Sequence, residues 1–185
     1  MNEIFNRGKV RVLGDTTILG LGDIIRYNNR PKIKYENVAE HSFYVVATVL
    51  KICIMYNIDE ETKLKALEFA TVHDLGEIFL GDVPYDTKVD NPALSQILEV
   101  AEVKALEKNL PEYTKYYEQF LKEEKEQTVA YLITKLADTV SVLQYSNREL
   151  ALGNKTELMK DINENSQERV TNLIEKLESK LVEVR

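Results

Sequence analysis

Apolar residues recur along this chain at three- and four-residue intervals, and hardly anywhere at every second position, a pattern that predicts helices rather than strands. Asn37, with Glu40 three residues on, marks a helix start of the capping-box kind. Val45, Val49, Ile52 and Tyr56 follow at helical spacing to about Asn57. Asp59 caps the next helix, whose first turn is acidic (Glu60, Glu61), as the helix dipole favours. Leu64, Leu67, Ala70 and Asp74 then share one side of it. From Ile78 to Lys88 the pattern breaks around Gly81 and Pro84 and reads as a loop. Asn91-Pro92 opens a helix to about Lys108, and Leu110-Pro111 ends it. A short charged helix follows, with Tyr113, Tyr116, Tyr117 and Phe120. A long helix over about 127–152 closes at Gly153, and the last runs over about 156–184 with Leu158, Ile162, Val170, Leu173, Ile174, Leu177 and Leu181 as its apolar side. A first helix is expected from Thr16 to before Arg30-Pro31, with a short extended piece at Val10–Val12. The expectation is an all-α, single-domain bundle over 1–185, of about six to seven helices, with no appreciable sheet.

Composition narrows the classes. At 185 residues, 44% hydrophobic and 30% charged, the chain can bury a real core. Seven Gly and four Pro are too few turn formers for a sandwich of many short strands. No apolar run is read as approaching the roughly 20 residues of a membrane span, and MNEIFNRGKV lacks the apolar stretch of a signal peptide. The single cysteine, Cys53, allows neither an internal disulfide nor a CxxC-type zinc site. A cytoplasmic protein without a membrane partner is expected. The net charge of −7 argues against nucleic-acid binding, which needs a basic surface. Between Arg7 and Lys34, however, seven basic residues face two acidic ones, a local +5 that leaves −12 for the rest. Such a patch suits a small anionic ligand, or is an ordinary solvated surface.

The chain has two histidines, His41 and His73. Each by itself reads first as a hydrogen-bonded core residue. His41 shares a face with Val45, Val49 and Ile52, and His73 lies near Phe69 and Ala70, so both point inward. Unpartnered burial costs on the order of 1–3 kcal/mol each, and one metal ion would partner both. Asp138 is a third signal, a charged residue in the apolar run Leu136-Ala137-Asp138-Thr139-Val140. It is either a rim aspartate paired with Lys135 or a ligand. His41, His73, Asp74 and Asp138 make a four-ligand set from three helices that leaves coordination positions open.

The surrounding words are more specific: Glu36-Asn-Val-Ala-Glu-His-Ser42, Val72-His-Asp-Leu-Gly-Glu77, Gly81-Asp-Val-Pro84 and Lys135-Leu-Ala-Asp138. They resemble the HD superfamily of metal-dependent phosphohydrolases, and within it the YfbR-like 5′-deoxynucleotidases, over about residues 18–145. The final helix matches only in being helical. The resemblance implies metal ligation by His41, His73, Asp74 and Asp138, with one divalent transition ion (Co, Mn, Zn or Fe). It implies acid/base work at Glu77 and Asp82, and a phosphate-and-sugar pair at Arg26-Tyr27. The i,i+4 spacing independently places Glu77 on the helix face of His73. The family often has Trp where Tyr27 stands and reads Gly-Asp-x-Pro-Thr-Pro where this chain has Gly81-Asp-Val-Pro-Tyr-Asp-Thr87. Those departures leave sugar selection, base preference and phosphate-chain length open. Lys88 and Arg30 are further phosphate contacts, and Glu40 is explained by its cap.

The implied activity is hydrolysis of the phosphate ester of (deoxy)ribonucleoside 5′-monophosphates to nucleoside and orthophosphate. Two alternatives stand beside it: a deoxynucleoside triphosphohydrolase releasing triphosphate, for example from dATP, and a nucleotide-binding regulator without turnover. The resemblance also implies a homodimer, with the last helix or the 113–117 segment as candidate contacts.

Overall fold

The capping box at Asn37 forms as its residues suggest. The Asn37 side chain accepts from the Glu40 amide at 2.8 Å, and the Glu40 carboxylate accepts from the Asn37 amide at 3.2 Å. The helix it starts, α1 (Val38–Tyr56), stops where Asn57 turns left-handed at φ 51°. In the computed structural model, which describes residues 15–184, seven more helices follow. They are α2 (Glu60–Val72), α3 (Glu77–Leu80), α4 (Tyr85–Asp90), α5 (Pro92–Asn109), α6 (Pro111–Glu126), α7 (Val129–Ala151) and α8 (Glu157–Val184). The Asp59 side chain accepts from the Thr62 amide and that of Thr128 from the Tyr131 amide, capping α2 and α7. Gly153 takes φ 101° beyond the end of α7, where a side chain would be strained.

The all-α expectation holds: among the described residues the one β pairing is an isolated bridge between Ile25 and Asn37. The count of eight differs from six to seven because two short helices are gained and one is lost. Residues 78–88, read as loop, hold the end of α3 and the start of α4. Helices of four and six residues are too short to show a period, and Gly81 (φ 81°) and Pro84 separate them. The first helix expected from Thr16 is only a 3-10 stretch, Thr17–Gly22. Gly20 there approaches Ile78 so closely that a Cβ would lie 3.2 Å from its Cγ2. Beyond it the Arg26 amide donates to the Glu36 carbonyl at 2.9 Å, and the Val38 amide to the Ile24 carbonyl at 3.0 Å. Those amides and carbonyls are committed across the bridge and cannot also serve a helix. Val10–Val12 lies outside the described residues.

Two apolar clusters divide the interior. One joins Val45, Val49, Ile52 and Cys53 of α1 to Phe69 and Ala70 of α2, Leu132, Ile133, Leu136 and Ala137 of α7 and Leu177 of α8. The other gathers Leu21, Val38, Val72, Leu75, Leu106, Leu110 and Tyr117. On α1, Val38 belongs to one cluster and Val45 to the other, with His41 between them. On α2, Ala70 and Val72 divide the same way just before His73. The two histidines therefore sit at the seam where the clusters meet. Contrary to the reading of apolar runs, α1 is long and apolar enough by length and composition to cross a membrane, with a hydropathy of 1.5. Its buried face, however, is taken by the core residues just named and by His41.

Candidate metal centre

His41 and His73 face each other with Nε2 atoms 3.4 Å apart. Asp74 Oδ2 lies 3.4 Å from His41 Nε2 and 3.3 Å from His73 Nε2, and Asp138 Oδ1 lies 3.4 Å from His41 Nε2. One ligand atom from each of His41, His73 and Asp138 falls within 4.8 Å of the others. The outer nitrogens are engaged: His73 Nδ1 lies 2.9 Å from the Ala70 carbonyl, and His41 Nδ1 lies 3.1 Å from Ser141 Oγ. A carbonyl can only accept, so His73 Nδ1 carries a proton, and in the neutral ring Nε2 is left with a lone pair toward the centre. Such partners are how metal-binding imidazoles are oriented. Asp138 also meets its alternative reading, because its Oδ2 accepts from Lys135 Nζ at 2.8 Å. The two roles use different oxygens.

Charge in this cluster is set by burial and neighbours. Burial draws His41 down to about 4, with Arg26 adding to the effect, so its imidazole is neutral at pH 7. His73 is also lowered by burial, but Asp74 outweighs this and leaves it raised. Burial would raise both aspartates, yet His73 beside Asp74 and Lys135 beside Asp138 hold them below the usual carboxylate range. The neutral imidazole of His41 and two carboxylates at close quarters suit a divalent transition ion, and the donor set fits one.

Glu77 is arranged differently. Burial, then Asp74 and Asp82, push its carboxyl well above the usual range, and its buried Oε2 has no hydrogen-bond partner among the described residues. The same-face argument from spacing does not hold, because α2 ends at Val72 and the chain turns through 73–76 before α3 begins at Glu77. Gly76 lets that turn pass α5, since a Cβ there would lie 2.5 Å from Cγ of Glu102. The turn, not a continuous helix face, brings Glu77 to the cavities that His73 and Asp74 line.

Two cavities open on the cluster and share Asp74, Glu77, Tyr85, Lys88, Lys135 and Asp138. One, of about 520 Å³, is bordered by Arg26, Tyr27, Arg30, Asp82 and the inner side of α8. Arg26 is buried, 3.5 Å from Asp74 and 3.6 Å from Glu36, and its Nε has no hydrogen-bond acceptor. A buried guanidinium that lines a cavity is suited to an anion such as phosphate. Asp82 is drawn toward the backbone, its Oδ2 accepting from the Tyr27 amide at 2.9 Å. Arg30 is tied to Asp86 at 2.5 Å, whereas Lys88 has no ion pair among the described residues. The other cavity, of about 670 Å³, reaches past the cluster to Glu102, Tyr117, Phe120, Glu124 and Tyr131.

Of the ten residues singled out in the sequence, His41 lies within the cluster and the other nine line one or both cavities; several others there were not foreseen. Lys135 had its signal, since its spacing already paired it with Asp138; that it also lines both cavities is new. Arg169 of α8, with its guanidinium carbon 3.6 Å from the ring centroid of Tyr85, had none, being one charge among many on a charged helix. Nor did Ser166, which lines the same wall. The last helix, expected to match only as a helix, therefore forms part of the site.

Comparison with known proteins bears on the family and the fold. Residues 16–184 match the family described as 5′-deoxynucleotidase YfbR-like, a longer stretch than the 18–145 read from the motifs. A 5′-deoxynucleotidase of Photorhabdus laumondii is 28% identical over 129 residues, a match spanning 66% of each chain. An HD-domain phosphohydrolase of Listeria innocua shares the fold with a TM-score of 0.72 at 23% identity, over 91% of this chain and 84% of that one. So does an HD phosphohydrolase of cyanophage S-2L bound to dA and one catalytic Zn2+ ion, with a TM-score of 0.66 at 21% identity, over 91% and 94%.

Proposed function

Because the chain belongs to the YfbR-like 5′-deoxynucleotidase family, we propose that it is a metal-dependent phosphohydrolase that cleaves deoxynucleoside 5′-monophosphates to nucleoside and orthophosphate. The observation that carries this reading is the meeting of two imidazoles and two aspartates beside a buried carboxyl with one unpartnered oxygen and a buried guanidinium that lines the cavity. His41, His73, Asp74 and Asp138 would hold one divalent ion. Such an ion supplies Lewis acidity toward a water and a phosphoryl oxygen when bound.

The remaining steps belong to the chain. Arg26 offers its guanidinium to a phosphate oxygen and neutralises charge that builds on the phosphoryl group. Glu77 orients the attacking water and takes its proton as the water oxygen bonds to phosphorus. The phosphorus–oxygen bond to the 5′-oxygen breaks, and that oxygen takes a proton from Glu77 or from Asp82 and leaves as the nucleoside hydroxyl. Asp82 is the second acid/base candidate through the oxygen it does not give to Tyr27. Lys88, unpaired at the junction of the two cavities, adds positive charge where the phosphate sits, and Arg30 adds more from behind its pair with Asp86.

The test is turnover by metal-reconstituted protein on dNMPs, NMPs and dNTPs, with products separated chromatographically. Orthophosphate and deoxynucleoside from dNMPs are expected. Triphosphate released from a dNTP would move the same residues to a triphosphohydrolase. Bound nucleotide with no product would make the chain a regulator. The homodimer belongs to this reading as well, and the outer face of α1 suits it, with Phe43, Ala47, Leu50 and Ile54 exposed in one stripe. Light scattering should report a dimer for the native chain and a monomer for Leu50→Glu; a monomer for both removes this part.

A further inference from the structure

Tyr27 holds a backbone conformation that a tyrosine does not choose. Its φ is 52°, in the left-handed region, which costs a non-glycine residue on the order of 1–3 kcal/mol unless its surroundings over-determine it. Here they do. Its amide donates to Asp82, and its carbonyl accepts from Lys32 Nζ at 2.7 Å and from the Arg30 amide at 2.9 Å. Its ring stacks on Tyr145, centroids 5.0 Å apart and planes 12° from parallel. The ring is thus buried behind and faces the Arg26 cavity in front.

Tyr145 is itself held. Its hydroxyl donates to the Lys34 carbonyl at 2.9 Å. Glu149, fully buried, clamps that same backbone: Oε2 accepts from the Ile33 amide at 2.8 Å and Oε1 from the Lys34 amide at 2.6 Å. Asn154 Nδ2 donates both to Glu149 Oε2 and to the Pro31 carbonyl. A buried carboxylate with three donors organises the loop between Ile25 and Asn37, which holds turns and bends but no helix or strand. Neither Tyr145 nor Glu149 borders either cavity.

Both residues lie on the face of α7 that carries the centre. Asp138, Ser141, Tyr145 and Glu149 follow at intervals of three and four, so one rigid helix bears an aspartate of the cluster, the hydroxyl beside His41, the support of Tyr27 and the clamp on its loop. The distance from the cluster to the Tyr27 ring is therefore a helix length rather than a loop average.

We propose that Tyr145 and Glu149 are positioning residues for sugar selection: they fix how far the Tyr27 ring stands from the centre and thereby the room left for a 2′-hydroxyl. This rests on the nucleotidase reading above. Arg26 has its own anchors in Asp74 and Glu36, so disturbing Tyr145 or Glu149 moves the sugar wall and leaves the phosphate contact.

The test compares dAMP with AMP, by calorimetric binding and by steady-state kinetics, in metal-loaded native protein, Tyr145→Ala, Tyr145→Phe and Glu149→Gln. Tyr145→Ala should lower the dAMP-over-AMP preference about tenfold, chiefly through affinity, with kcat on dAMP within about threefold of native. Tyr145→Phe keeps the stack and should recover most of the preference. Glu149→Gln should quicken amide hydrogen exchange over 26–34 while leaving α1 and bound metal unchanged. If native protein prefers dAMP and Tyr145→Ala erases the preference though nothing is hydrolysed, the positioning role stands and the nucleotidase reading falls. A native protein indifferent to the two sugars, or an unchanged preference in folded Tyr145→Ala and Glu149→Gln, overturns the positioning role whatever the turnover.

Discussion

A buried carboxyl without a partner is expensive, and Glu77 keeps one beside two aspartates. At this scale the chemistry divides by what each side chain can give up. Removing a donor from the cluster should remove the ion, whereas removing the Glu77 charge should leave it. His73→Ala is expected to lose bound metal, read by elemental analysis, together with turnover. Glu77→Gln should keep metal and lose about 10²-fold or more in kcat. Full turnover in Glu77→Gln would take this residue out of the mechanism. His41, His73 and Asp138 were legible in the sequence because each is a costly choice in its setting, an imidazole on an apolar face or an aspartate between Ala137 and Thr139 in a core helix, whereas Glu77 was assigned its role through the resemblance of the surrounding motif. Arg169 and Ser166 were not legible, because a charged or polar residue on a charged helix costs nothing locally.

Among the helices, α6, α7 and α2 are joined through one acid. Glu123 accepts from Thr128 Oγ1 at 2.6 Å, from Gln119 Nε2 at 2.7 Å and, from α2, from Lys65 Nζ at 3.2 Å. Burial alone would raise this carboxyl, but Thr128, Gln119 and Lys65 outweigh it and leave it below its usual value. A carboxylate lowered in the folded state stabilises above its unfolded pKa, and that contribution is lost as pH falls through the folded one. Glu123→Gln should therefore be less stable than the native chain by about 1–3 kcal/mol at pH 7, by denaturant titration. The gap should close as pH falls below about 4. A gap constant with pH would assign the effect to packing instead. The turn at 73–76 offers a second check. Gly76→Ala forces a methyl group into Glu102 and should cost about 1–3 kcal/mol by overpacking. It should also weaken metal binding, because the same turn carries His73 and Asp74. Helix spacing revealed α1, α2 and α5 to α8, whose periods run long enough to read. It missed α3 and α4 and supplied a false first helix, because residues 17–38 are shaped by contacts with Ile78 and by the bridge to Asn37.

For the molecule as a whole, the cluster ties α1, the α2–α3 turn and α7, which are distant in sequence. An ion bound there should stabilise the native state by mass action, about 2.7 kcal/mol at a hundredfold excess over Kd. That corresponds to a Tm rise of roughly 5–10 °C for a chain of this size. Chelation should reverse it, and His41→Ala should abolish it; a Tm indifferent to Mn, Co and Zn would exclude an ion bridging these elements. The amino-acid sequence by itself determined the helical class and most helix ends, and it singled out the polar side chains that meet in the interior, since periodicity, caps and costly buried polar groups are local properties of residues and their neighbours. Only the tertiary structure decided that Glu77 arrives by a turn, that α8 walls the cavity and that Glu149 clamps the Tyr27 loop. Each of those depends on the distance between elements far apart in the chain, and that distance is settled by packing rather than by any local run of residues.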